Sequence, residues 1–101
     1  MPRHGEFKTP GGKLVVADVE VEGGRIAAVE VTGDFFLEPD TALAALTAAL
    51  VGAPADAGEE ELTARMDAGL PEGAQLIGFT TAAVATAVRR AIDEDSPRER
   101  L

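Results

Sequence analysis

There is no cysteine among the 101 residues. Disulfides, thiolate nucleophiles and Cys-ligated zinc or iron–sulfur centres are therefore excluded. Histidine and serine occur once each, as His4 and Ser96. A lone histidine makes no metal site without neighbours, and no HxH, HExxH or EF-hand spacing accompanies it, so no metal is expected. Ser96 stands in DEDSPRERL, where a Ser/His/Asp triad is hard to assemble. The four aromatic residues are all Phe. No apolar run approaches the ~20 residues of a membrane span, and Met1-Pro2-Arg3-His4 opens no signal peptide, so the expectation is a soluble cytoplasmic protein. Cations are half as numerous as anions, 9 against 18, for a net charge of −9. Nucleic acid and anionic membranes are poor partners for such a surface.

What is present is an ordinary globular composition, 46% hydrophobic and 27% charged, sufficient for one small core. The charge is unevenly placed. Residues 1–13 carry Arg3, Lys8 and Lys13 against Glu6, so a locally cationic start precedes an acidic body. KLVVADVEVE from Lys13 to Glu22 and RIAAVEVTG from Arg25 to Gly33 alternate and are rich in Val, which predicts two strands. A two-residue turn at Gly23-Gly24 sets Ala17 against Glu30. A three-residue loop, Glu22-Gly23-Gly24, pairs Val19 with Ala27, Ala17 with Val29 and Val15 with Val31. It gives one apolar face and is the expected register.

Asp34-Phe35-Phe36-Leu37 reads as a short third strand or a bent continuation of the second. Glu38-Pro39-Asp40 reads as a helix start, with Leu43, Leu46, Thr47, Leu50 and Val51 at helical spacing and Gly52 with Pro54 as the stop. A second helix is expected after Asp56, with Glu59 as capping-box partner, Leu62 and Met66 on the buried stripe, and Gly69 with Pro71 closing it. The third begins near Thr80, where Phe79 staples onto Val84, and continues through Val88 and Ile92. The predicted class is α+β: a small antiparallel sheet of two to three N-terminal strands followed by three helices packed on one face. Residues 1–12 read as an N-terminal extension, unstructured around an exposed His4 and ending in the PGG segment. Residues 13–92 read as the single domain and 93–101 as a flexible polar tail.

Chemistry has few places to reside. Glu59-Glu60-Glu61 reads either as the solvated, dipole-matched first turn of a helix or as a contact surface. No acid falls in a segment predicted to be buried, so no tuned general acid or base is indicated and no catalytic residue is assigned. In Lys8-Thr9-Pro10-Gly11-Gly12-Lys13, consecutive glycines let backbone N–H groups converge on an anion while the lysines add charge. Lys8, Gly11, Gly12 and Lys13 are therefore candidates for a nucleotide or partner contact. The spacing is not that of a P-loop, and the same residues also suit a turn that launches a strand. Alternation turns Phe35 and Phe36 to opposite sides, one inward and one outward, which makes Asp34, Phe35 and Phe36 partner-binding candidates. The alternative packs both rings between sheet and helices.

K-x-P-G-G-K-L entering a strand stands here as Lys8 to Leu14. A D-V-x-x-G-x-I hairpin follows as Asp18 to Ile26 with one extra residue, then T-G-D-F-F-L-x-P as Thr32 to Pro39 and a helix. In this order the motifs resemble the C-terminal accessory domain of lipoate–protein ligases, and weaker likeness continues through Ala74 to Phe79 and the last helix. Such ligases activate lipoate with ATP to lipoyl-AMP and pass the lipoyl group to a lysine of an acceptor domain. Their large domain carries the adenylate-binding and catalytic residues. The small domain supports activation and in some members is a separate polypeptide. The resemblance implies a detached, noncatalytic small subunit that works with a lipoate–protein ligase catalytic subunit and, through it, with lipoyl-acceptor domains. ATP, Mg and lipoate (or octanoate or biotin in its place) would be held by that subunit, and no cofactor by this chain alone. The element order is also similar to iron–sulfur scaffold proteins, whose chemistry needs the cysteines missing here. A rival reading is a small acidic protein-interaction module for an unrelated enzyme or carrier.

Overall fold

Strands come first and helices second, with one late exception. In the computed structural model, which describes residues 3–9, 13–33, 36–38, 41–77 and 79–93, β1 (Arg3–Lys8), β2 (Leu14–Glu22) and β3 (Arg25–Gly33) form an antiparallel sheet in the order β1-β2-β3. A second, two-stranded sheet pairs β4 (Phe36–Glu38) antiparallel with β5 (Gln75–Ile77). The helices are α1 (Thr41–Leu50), α2 (Glu59–Gly69) and α3 (Thr81–Asp93). The class is α+β, as the hydrophobic patterning indicated.

The β2–β3 hairpin corrects the expected register. Its turn has two residues, Gly23 and Gly24, with φ of 59° and 77°, and Glu22 pairs with Arg25. Positive φ at both central residues is what a tight turn of type I′ requires, and glycine adopts it without strain. The apolar face survives because a bulge follows. Val21 pairs with Ile26 and Glu20 with Ala28, which leaves Ala27 as the extra residue. Beyond it Val19 faces Val29, Ala17 faces Val31 and Val15 faces Gly33. Val15, Ala17, Val19, Ile26 and Val31 are buried together.

The segment around His4, expected to lack structure, forms β1. Gly5 opposes Ala17 and Phe7 opposes Val15. The signal was hidden because Gly5 is buried by backbone contact: a Cβ there would lie 2.3 Å from the Ala87 oxygen and the Ala91 nitrogen of α3. That approach is open because α3 is built from alanines (Ala83, Ala87, Ala91) where it faces the sheet. Val84 and Val88 fill the remaining space, with Leu46 and Leu50 of α1 and Leu62 and Met66 of α2 completing one core. Close packing of small residues here replaces bulk.

Helix ends agree in part. Thr80 caps α3, its Oγ1 accepting the Ala83 N–H at 3.0 Å, and Phe79 and Val84 are both buried as the staple requires. α2 starts at Glu59 behind Gly58, with no side-chain cap, so Asp56 is not its N-cap. Glu59 instead accepts from Thr86 Oγ1 at 2.9 Å, linking α2 to α3. Val51 follows α1 and is 47% exposed, not on its buried stripe. The α1–α2 connection lies along the start of β3: the Gly52 N–H donates to Ile26 O at 2.8 Å and the Ile26 N–H to Ala53 O at 2.9 Å. Arg89 ties α3 to the same connection, donating to the carbonyls of Ala55 and Ala57 and to Asp93. Pro39, Asp40 and residues 94–101, the bulk of the expected polar tail, lie outside the described residues.

Candidate functional site

The β1–β2 hairpin brings the two candidate lysines to one end of the sheet. Lys8 closes β1 opposite Leu14. One step further the Thr9 N–H donates to Lys13 O at 3.2 Å, and Thr9 Oγ1 donates to the same oxygen at 3.3 Å. Both lysine side chains are exposed, and among the described residues neither has an ion-pair partner. Gly11 and Gly12, between them, lie outside the described residues, as do Asp34 and Phe35. Phe36 opens β4 and pairs with Ile77 of β5. The hairpin thus brings the two lysine backbones to the same end of the sheet, one step out of register, on alternating faces.

The helices cover one face of the three-stranded sheet; the other carries alternate polar residues. There His4 stands on β1 opposite Asp18 of β2, which in turn opposes Glu30 of β3. His4 Nδ1 lies 2.8 Å from Asp18 Oδ1 and Nε2 lies 2.8 Å from Glu6 Oε2. Only the imidazolium donates from both nitrogens. Hydrogen bonds to Glu6 and then Asp18 hold the proton and push the His4 pKa up to about 9. An imidazolium held charged at neutral pH between two carboxylates, one of them across the strand pair, fastens β1 to β2. Reading His4 as merely solvated missed this, because its partner Asp18 is adjacent only once β1 exists. The His4-x-Glu6 spacing, on one face of a strand, was the available sign.

A surface groove of about 380 Å³ runs between α2 and α3, lined by Glu59, Glu60, Thr63, Ala64, Asp67 and Ala82. Two of its carboxylates are already engaged, Glu59 by Thr86 and Asp67 by Thr81 at 2.8 Å. Glu59, Glu60 and Glu61 all stand exposed in the first turn of α2, where the helix dipole favours them. Among the described residues no group of three or more His, Cys, Asp or Glu is placed to hold a metal. No helix among them is long and apolar enough to cross a membrane.

This arrangement, an antiparallel sheet with helices on one face and a cationic hairpin end, defines the fold class. A solved chain shares the fold. The chain is similar to one from an archaeal lipoylation system, a bipartite lipoate protein ligase and its E2 lipoyl domain from Thermoplasma acidophilum, with a TM-score of 0.65 at 20% identity. The likeness covers 88% of this chain and 93% of that one. At that identity it establishes the fold. No protein-family model matches this chain and no curated protein is significantly similar to it.

Proposed function

We propose that this chain is a noncatalytic accessory subunit of a bipartite lipoate–protein ligase. It docks on a separate catalytic subunit and supports the ATP-dependent conversion of lipoate to lipoyl-AMP, from which lipoyl-acceptor domains are modified. The observation that carries the reading is the fold likeness to a chain of a bipartite lipoate protein ligase system, extending over nearly the whole of both chains. It is supported independently by the motif order from Lys8 to Pro39.

In this reading ATP, Mg and lipoate are held by the catalytic subunit. Lys8 and Lys13, with Gly11 and Gly12 permitting close backbone approach, lend charge toward the nucleotide, while Asp34, Phe35 and Phe36 anchor the partner. Support for activation requires that the chain bind the adenylation-competent state of its partner more tightly than the others. The test mixes purified chain with its candidate catalytic subunit and measures lipoyl-AMP. The expected result is formation by the pair and little by either alone. Equal lipoyl-AMP with and without this chain overturns the proposal, and capture of an unrelated enzyme or carrier in its place supports the rival interaction module.

A further inference from the structure

We infer that the open face of the three-stranded sheet docks a basic patch of the catalytic subunit, with an arginine or lysine side chain of that subunit entering the hollow between Asp18, Glu20 and Glu30. The identity of the partner rests on the reading above, whereas the surface and its chemistry follow from the sheet. Alternation sends Val15, Ala17 and Val19 of β2 into the core and turns Val16, Asp18 and Glu20 the other way. On β1, Gly5 meets α3, so His4, Glu6 and Lys8 share the open side. The register lays these residues out in rows. Glu6, Val16 and Thr32 form one row, His4, Asp18 and Glu30 form the next, and Glu20 faces Ala28 beyond it. Half-buried Leu14 and Val16 lead along the central strand to the acidic rows, so apolar contact and charge adjoin on one surface.

Asp18 stands directly opposite Glu30. Side chains so placed start about 5 Å apart, and like charges there are destabilising. His4 relieves one side only. Its ring is held by Asp18 and Glu6 at 2.8 Å each, and it stands on β1, across β2 from Glu30. Lys8, on the same side of β1, is opposite Leu14 at the other end of the face. Arg25, at the β2–β3 turn, donates to the Gly52 carbonyl. On the side away from His4 lies a shallow hollow of about 210 Å³, lined by Asp18, Glu20, Ala28, Val29 and Glu30. The small Ala28 leaves room between the carboxylates, and a cation entering there relieves their repulsion. Charge also selects the occupant. Two-fold pairing with a second copy would set these carboxylates against their counterparts, and the same surface repels nucleic acid and anionic membranes. A protein surface bearing arginine or lysine is its complement.

The test adds the unlabelled catalytic subunit to the whole isotope-labelled chain and maps by NMR the amides that shift or broaden. Changes are expected at Val16, Asp18, Glu20, Ala28 and Glu30, with affinity falling as salt rises. Glu30→Lys turns the like-charge pair with Asp18 into an opposite-charge pair. It should raise the thermal midpoint of the isolated chain and yet weaken the complex about tenfold, the scale of one interfacial charge contact. Effects of opposite sign are not what a purely structural role predicts. Glu20→Gln with Glu30→Gln serves as the second variant, in which exposed side chains lose charge but keep their shape, and it should weaken the complex without unfolding. Wild-type affinity in both variants, or a footprint confined to the helices, overturns the inference. Measuring lipoyl-AMP on the same samples separates it from the reading it rests on. A pair that forms lipoyl-AMP with its footprint elsewhere sinks the sheet surface alone. A footprint on the sheet without any aid to lipoate activation sinks the accessory role alone, and absence of a complex sinks both.

Discussion

His4 fastens the edge strand, and its protonation sets when. Its folded-state pKa of about 9 lies above the ordinary 6.5, raised by the Glu6 and then the Asp18 hydrogen bonds. A raised pKa means that the charged form is favoured by folding. The contribution is complete below pH 6.5, declines between 6.5 and about 9, and is gone above that. Amide exchange of β1 should therefore accelerate between pH 7 and 9.5 beyond the intrinsic base-catalysed rate, relative to β3, and His4→Gln should remove that excess. An identical profile in His4→Gln would show that the pairing holds nothing. One residue along, Gly5 acts through absence of a side chain. A Cβ at 2.3 Å from backbone atoms of α3 leaves no flexible group to yield, so Gly5→Ala must lift α3 off the sheet. Overpacking of this kind costs ~1–3 kcal/mol, a large share of the margin of a small domain. A chemical denaturation midpoint unmoved by Gly5→Ala would contradict the packing described for β1.

At the scale of elements, what could be read in advance follows what side chains announce. The periodic stripes of Leu46 and Leu50, of Leu62 and Met66, and of Val84 and Val88 marked three helices, and Val15, Ala17 and Val19 marked a strand, because in each case bulk repeats with the period of the element. β1 and β5 were not legible. β1 presents glycine and one Phe to the core, and β5 has only three residues, so neither repeats anything. The hairpin was legible as a hairpin but not in its register, since a bulge at Ala27 does the work that a longer loop would also have done. That leads to a specific expectation. Removing Ala27 deletes the one residue without a partner and leaves every other pair in place, from Val21 with Ile26 to Val15 with Gly33. The shortened hairpin should keep its cross-strand contacts, with a stability change within about 1 kcal/mol. Cross-strand NOEs between Val19 and Val29 report this directly. Their replacement by contacts of Val19 with Glu30 would mean that the bulge sets the register.

Over the whole molecule, the two lysines were legible as a motif and the contacts that α3 makes with the strand beside them were not. Lys8 and Lys13 are neighbours through a short hairpin, a local relation that a sequence displays. Arg90 meets β1, at the Glu6 carbonyl and the Phe7 ring, only because α3 lies across that strand. Charge distribution makes the end distinctive: an acidic chain carries two lysines without an ion-pair partner among the described residues, one of them closing a strand held by Arg90 to Glu6, by Arg3 to the Ile92 carbonyl at 3.1 Å, and by Gly5 against α3. A rigid mount suits a group that must meet developing charge on another protein without reorganising. If that is its use, Lys8→Ala with Lys13→Ala should leave the complex with the catalytic subunit intact and lower lipoate-dependent ATP–pyrophosphate exchange by about tenfold, the scale of one lost charge-assisted contact in the transition state. Because both side chains are exposed and have no ion-pair partner among the described residues, the fold should be unaffected, and thermal unfolding of the double variant checks that separately. Loss of the complex with unchanged exchange per complex formed would place the lysines at the docking surface. Unchanged exchange with an unchanged complex would remove them from the mechanism, and with them the functional weight of the hairpin.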